Sequence, residues 1–233
     1  MTNGSFPTTP WPQGQIQAIL FDLDGTLINS DDRSVASLSK ILHPLLGKRS
    51  QRAARWLIMK AEYPGNAAIT LLDRVGLDGP VMRYLDHRHL RRASVSDQPF
   101  TLVRGAEELT LALKSQGYRL GIVTTRTRYH IDRLFAQFPA FDSGFDTSCG
   151  LQDTRRLKPH PSPILLAAEQ LGVAADNCLM VGDTVMDIVA AKKAGAWSTG
   201  VLCGFGERQE LERAGADVIL SHTSDLLGLF DSG

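Results

Sequence analysis

Two aspartates two positions apart, Asp22 and Asp24, stand in the stretch FDLDGTLINS (21–30), directly behind the apolar residues Ile16, Ala18, Ile19 and Leu20. Ionised aspartate is rarely buried without a partner. A strand that runs into two carboxylates and a glycine therefore serves either a turn or a site. An Asx-type turn accounts for the residue types. So does a carboxylate pair at the carboxyl end of a parallel strand, the edge where open α/β sheets place their ligands. A second pair of acids, Asp183 and Asp187, follows the apolar run 178–181 and Gly182. Parallel strands end on one edge, so Asp22, Asp24 and Asp183 can converge there. Three carboxylates repel unless a divalent cation lies among them. An all-oxygen donor set with few protein ligands suits Mg2+, which keeps several waters and takes a substrate phosphate. Asp187 falls in the first turn of a helix expected over 185–194. There it either orients the cation's surroundings or complements the helix dipole.

Two further residues offer the opposite chemistry. Thr124 ends the apolar run 118–124 (YRLGIVT), and Lys158 lies in the loop RRLKPHPSP. A hydroxyl, loop amides and one ammonium are what the remaining oxygens of a phosphoryl group require. Taken singly, Thr124 is also a strand-end residue and Lys158 a solvated lysine. Pro159 restricts the backbone beside Lys158 and would help aim it.

These residues need elements to bring them together. Helices are expected over 106–116, 129–138, up to 171, over 185–194 and over 224–230. Strands are expected over 118–124, 145–148, 178–181, 197–201 and 218–220, with a polar loop over 150–163. Alternating βα units imply an α/β fold, a Rossmann-like doubly wound parallel sheet with helices on both faces. Between the first strand and this run, residues 33–98 contain no convincing strand. Val35, Leu38, Ile41, Leu42, Leu45 and Leu46 recur at helical spacing, with Pro44 as a point of kinking. The expected division is a flexible tail (1–15), a catalytic core (16–31 and 99–233) and a small all-helical insert (32–98).

The charges balance at 25 basic and 25 acidic residues, so nothing global favours nucleic acid or a membrane surface. The balance is uneven along the chain: residues 33–98 carry twelve Lys/Arg against five Asp/Glu. Arg49, Arg52 and Arg55 share one helix face if a helix runs there, and Arg88, Arg91 and Arg92 can do the same. Such faces meet an anionic substrate or simply water. Cys149, Cys178 and Cys203 have no metal-type spacing and read as reduced thiols. The Pro-rich start lacks the apolar segment of a signal peptide, and no apolar run approaches the ~20 residues of a membrane span. A cytoplasmic protein, monomeric or weakly dimeric, is expected.

Four pieces in order, FDLDGT, the IVT strand end, LKPHP and VGDTVMD, resemble the haloacid dehalogenase superfamily of phosphohydrolases. AKKAGAW and ADVIL are similar to the phosphoglycolate phosphatase-like branch, whose helical cap follows the first motif. The resemblance covers 17–230 and implies a Mg2+-dependent phosphatase acting on a small phosphorylated metabolite, with a phosphoglycolate-type substrate. It makes Asp22 the nucleophile and Asp24 the general acid/base. Role reversal at one group calls for a pKa near working pH, so it also implies an Asp24 raised relative to Asp22. Thr124 and Thr125 become phosphate-binding residues and Lys158 the phosphate-neutralising lysine. Asp183, Asp22 and the Asp24 carbonyl become metal ligands, with Asp187 behind them. An acid at Asp24 points to phosphate esters, because a halide leaving group needs no proton. Asn29 and Thr125 depart from the branch, which often has Asp and Asn there. Arg126 and Arg128 are unusual beside a phosphate site and read either as a second anion site or as helix-start surface. Two other readings stay open: a sugar phosphomutase with the same nucleophile, and a non-catalytic binding or regulatory protein on this fold.

Overall fold

The computed structural model describes residues 9–12, 14–29, 39–44, 47, 50 and 99–230. The chain divides into two compact units, 1–29 with 101–233, and 30–100. In the first unit, β1 (Ala18–Phe21) is followed by α1 (Ala106–Ser115), β2 (Arg119–Val123), α2 (Arg128–Gln137) and α3 (Pro139–Asp142). Then come β3 (Thr147–Cys149), α4 (Ser162–Leu171), a 3-10 turn (Ala175–Asn177), β4 (Cys178–Gly182) and α5 (Val185–Ala194). β5 (Trp197–Val201), α6 (Arg208–Ala214), β6 (Val218–Leu220) and a 3-10 segment (Thr223–Leu229) complete it.

The six strands form one sheet in the order β3-β2-β1-β4-β5-β6, with every pairing parallel. This is the Rossmann-like doubly wound architecture expected. Its central strands are apolar throughout because helices cover both faces: every residue of β1 and β4 is buried. Ala18 and Leu20 pack with Cys178 and Met180 against Ile164, Ala167, Ala168 and Leu171 of α4 and Ala190 and Ala191 of α5. Cys149 and Cys178 belong to this core as free thiols. Burial pushes them up to about 12 and about 11, so both remain protonated packing groups.

Some elements differ from expectation. α6 is an additional helix: its sequence, RQELERA, buries only Leu211, so it shows no apolar stripe to read. Pro139 stops α2 as expected but also opens α3, as proline can at a first helical position. The final helix is 3-10. The tail expected to be flexible over 1–15 includes a buried Trp11, with ring centroids 5.8 Å from Trp197 and 6.4 Å from Phe230. In the second unit, residues 39–44 are helical. The rest of the helical insert expected over 32–98, with Arg49, Arg52, Arg55, Arg88, Arg91 and Arg92, lies outside the described residues, apart from 47 and 50. Among the described residues, no helix is long and apolar enough to cross a membrane.

Candidate active site

β1 lies between β2 and β4, with Phe21 in register with Ile122 on one side and Val181 on the other. The chain leaves β1 for β2 and β3 on one flank, then returns to the opposite flank for β4. The point where the order reverses opens a crevice beyond the carboxyl ends. Three residues emerge side by side there: Thr124 after β2, Asp22 after β1 and Asp183 after β4. The Asp22 N–H still donates to the Val181 carbonyl at 2.9 Å, so its carboxylate leaves the sheet from a fixed backbone.

Lys158 joins the acids from the polar loop, across a cis bond to Pro159. Its Nζ donates to Asp22 Oδ1 at 2.7 Å, to Asp187 Oδ1 at 2.7 Å and to the Val123 carbonyl at 2.9 Å. An ammonium has three donors, and all three are used. The side chain is 5% exposed. Burial opposes its charge, but Asp187 and Asp22 outweigh burial and raise Lys158 above its ordinary value. The expectation of a solvated lysine is thereby excluded.

Asp187 has two roles at once. Its Oδ2 accepts from the Thr184 N–H at 3.1 Å and the Thr184 hydroxyl at 2.7 Å, a capping box at the start of α5. Its Oδ1 faces Lys158. The helix-start reading of Asp187 takes the form of this cap, and its other oxygen is turned to Lys158.

Asp183 is fully buried. Its Oδ2 accepts from the Phe205 N–H at 2.7 Å and its Oδ1 from the Thr26 hydroxyl at 3.4 Å. Two glycines make room for it. Gly25 has φ 74, and a Cβ there would overlap the Asp183 carboxylate; a Cβ on Gly204 would overlap it too. Thr26, Gly204 and Phe205 carry no charge, so no sequence signal marked them as supports.

One oxygen each from Asp22, Asp183 and Asp187 lie within 4.8 Å of one another. Burial pushes Asp22 up to about 7, with Lys158 opposing and Asp187 and Asp24 reinforcing. Burial, then Asp22 and Asp187, also raise Asp183. Buried hard oxygens that repel one another fit a small divalent cation, which removes both penalties.

Asp24 lies outside the group of close carboxylate oxygens formed by Asp22, Asp183 and Asp187. Its carboxylate is gripped by Arg126: Nε donates to Oδ2 at 2.7 Å and Nη2 to Oδ1 at 2.6 Å. The Arg126 N–H donates to Thr124 Oγ1 at 3.2 Å, and the Thr124 N–H donates to the Cys149 carbonyl at 2.9 Å. Thr125 lies exposed on the same turn. Arg128 instead donates to Ser148 and Asp153, and Asn29 Nδ2 donates to the Leu102 carbonyl at 3.4 Å. Of the two unusual arginines, Arg126 belongs to the acid cluster and Arg128 to the fold.

The family model for haloacid dehalogenase-like hydrolases matches residues 19–201. Pyrophosphatase PpaX of Bacillus cereus (strain AH820) is 30% identical over 214 residues, which are 91% of this chain and 95% of that protein. A crystal structure of a proposed phosphoglycolate phosphatase from Lactobacillus plantarum aligns with TM-score 0.67 at 27% identity, covering 92% of this chain and 99% of that one. A hydrolase from Pseudomonas syringae aligns with TM-score 0.63 at 26% identity, covering 92% and 98%. A parallel sheet that gathers Asp22, Asp183, Asp187 and Lys158 at its switch point, and these likenesses over nearly its whole length, place the chain in the haloacid dehalogenase-like hydrolases, as a phosphatase of that family.

Proposed function

We propose that the chain is a Mg2+-dependent phosphatase that hydrolyses a small phosphorylated metabolite, of the phosphoglycolate or pyrophosphate type, through an aspartyl-phosphate on Asp22. The observation that carries this reading is the Lys158 ammonium, held 2.7 Å from both Asp22 and Asp187 beside buried Asp183. A cation pinned on one oxygen of a carboxylate leaves the other oxygen for attack and waits where phosphoryl oxygens arrive.

In the first step Asp22 Oδ2 attacks phosphorus. The bond from phosphorus to the leaving oxygen breaks, its electron pair goes to that oxygen, and Asp24 supplies the proton. In the second step water attacks the same phosphorus and gives its proton to Asp24. The bond to Asp22 breaks and the electron pair returns to the carboxylate. The sum is substrate plus water giving alcohol, or a second phosphate, plus orthophosphate. Thr124 and Lys158 hold the transferred phosphoryl oxygens, together with backbone amides of the Thr125 turn. Mg2+, held by Asp22, Asp183 and the Asp24 carbonyl, would neutralise charge on those oxygens. Residues 32–98 are proposed as the specificity-bearing insert, and the enzyme as a cytoplasmic monomer or weak dimer.

The test is phosphate release by purified protein with Mg2+ across a panel of phosphate esters and anhydrides. The parent is expected to turn over at least one of them, and Asp22→Asn is expected to fall to background. Acid quenching during turnover should trap a phosphoryl adduct on Asp22, seen by mass spectrometry. Turnover by Asp22→Asn at the parent's rate sinks the mechanism.

A further inference from the structure

Asp183 is enclosed by two pieces of chain, the turn 23–28 behind β1 and the loop 202–206 behind β5. A Cβ on Gly25 or Gly204 would overlap its carboxylate, and one on Gly206 would overlap its carbonyl. The turn is closed on itself: the Gly25 N–H donates to the Ile28 carbonyl at 3.0 Å and the Leu27 N–H to the Leu23 carbonyl at 2.9 Å. It reaches Asp183 Oδ1 through the Thr26 hydroxyl, at 3.4 Å. That length is near the limit of a hydrogen bond, so a small shift of the whole turn ends the contact.

What holds the turn in place comes from the far end of the chain. Thr223, the first residue of the final 3-10 segment, is fully buried. Its hydroxyl donates to the Thr26 carbonyl at 2.7 Å, across 197 residues. A buried carbonyl needs a donor, and here a side chain supplies it. With its one proton spent, the hydroxyl can only accept on its other side. Cys203 Sγ lies there at 3.3 Å, and 3.4 Å from the Gly25 carbonyl. Cys203 precedes Gly204, so the turn, the loop and the 3-10 segment all meet at Thr223. The segment is a firm base: Leu226 and Leu229 are buried and α1 packs against it. The Phe230 ring that follows it has its centroid 6.4 Å from Trp11 and 4.8 Å from Tyr118.

Resting on the phosphatase reading above, we infer that Thr223 is a positioning residue for the cation site. Its hydroxyl contacts Thr26 and Cys203 and acts on the acids through them. By fixing the Thr26 carbonyl it sets how far the turn that carries Asp24, whose carbonyl is a proposed ligand, stands from the Asp183 carboxylate. Asp22 and Asp183 repel each other, so the chain around them must hold them close before a cation arrives. Without the Thr223 hydroxyl the Thr26 carbonyl is buried without its donor. The turn then shifts, the contact from Thr26 to Asp183 is lost, and the ligands no longer stand at the spacing a small cation requires.

The test compares the full-length parent, Thr223→Val and Thr223→Ser. Mg2+ binding is measured by calorimetry without substrate, and the Mg2+ dependence of phosphate release is measured beside it. Valine keeps the shape and loses the hydroxyl; serine keeps the hydroxyl. Thr223→Val is expected to weaken Mg2+ binding by about 10- to 100-fold, the range for lost supports of a metal ligand. Thr223→Ser should stay close to the parent. At saturating Mg2+, kcat and the substrate KM of Thr223→Val should return towards the parent's, because the reacting groups are untouched. Thr223→Val that binds Mg2+ as tightly as the parent, whatever its stability in chelator, makes Thr223 a packing residue and overturns the inference. Thr223→Ser that binds as weakly as Thr223→Val overturns it, and so does a parent that binds no Mg2+. If Thr223→Val does not fold, Thr223→Ala, which removes the hydroxyl without placing a methyl against the Thr26 carbonyl, is held to the same expectation. If the parent binds Mg2+ but releases no phosphate from any ester or anhydride, the phosphatase reading falls alone, and the calorimetric comparison still decides the role of Thr223.

Discussion

At the scale of single residues, Lys158 ties Asp22, Asp187 and the Val123 carbonyl together. It neutralises two buried acids and uses every donor it has. Lys158→Ala is expected to lower kcat by about 10²-fold or more, because a developing negative charge loses its partner in a dry site. The same change strands Asp22 and Asp187, and removing one member of a buried ion pair costs about 3–5 kcal/mol. Steady-state kinetics and denaturant unfolding read the two effects separately. A variant with unchanged kcat would remove Lys158 from the chemistry even if its stability fell. The sequence supplied the identity of this lysine but not its environment. LKPHP reads as a polar loop, and a lysine in a loop is ordinarily solvated. Burial of Lys158 follows from the loop folding back over the ends of β1 and β2, a contact 136 residues away from Asp22.

At the scale of elements, the site depends on strand ends and on the glycines between them. β1, β2 and β4 were legible as apolar runs because buried parallel strands need no alternation. Asp22, Thr124 and Asp183 were legible as the residues that follow them. The cradle around Asp183 was not, since Gly25 and Gly204 read as turn residues wherever they occur. Their role is to let two loops come within van der Waals distance of a carboxylate. Gly204→Ala should therefore displace Asp183 while the fold persists. The expected result is a rise of about tenfold or more in the Mg2+ concentration for half-maximal activity, the range seen when supports of a metal ligand are lost. Mg2+ titration of the rate checks it, and an unaltered midpoint would mean that Asp183 is not held by this cradle. α6 teaches the opposite lesson. Leu211 is its one fully buried residue, so it shows no apolar periodicity and depends on tertiary contact.

At the scale of the whole molecule, the acid cluster couples stability to pH. Burial pushes Asp22 up to about 7 from the ordinary 3.8. The folded chain retains that proton where the unfolded chain has already released it. The stability from this site is complete below the unfolded value and is lost as pH rises through the folded one. In the presence of chelator, the stability of the parent relative to Asp22→Asn should fall between pH 3.8 and about 7 and then level off. Saturating Mg2+ should flatten this dependence, because a cation that binds only the folded state favours ionised acids. Parallel stability curves for the two proteins across that window would contradict the assignment.

The sequence by itself determined the class of the molecule. Alternating βα units, acids after two strands, a threonine after a third and the four ordered motifs were enough for an α/β phosphatase core. These are local properties, since strand patterning and strand-end chemistry are written in consecutive residues. What only the tertiary structure decided was which side chains meet. The order β2-β1-β4 put Thr124, Asp22 and Asp183 abreast. Loop closure carried Lys158 onto Asp22 and Asp187. Arg126, which read as helix-start surface or as part of a second anion site, was folded onto Asp24, 102 residues away. Pairings at such separations depend on how loops cross the sheet edge, and no pattern along the chain encodes them.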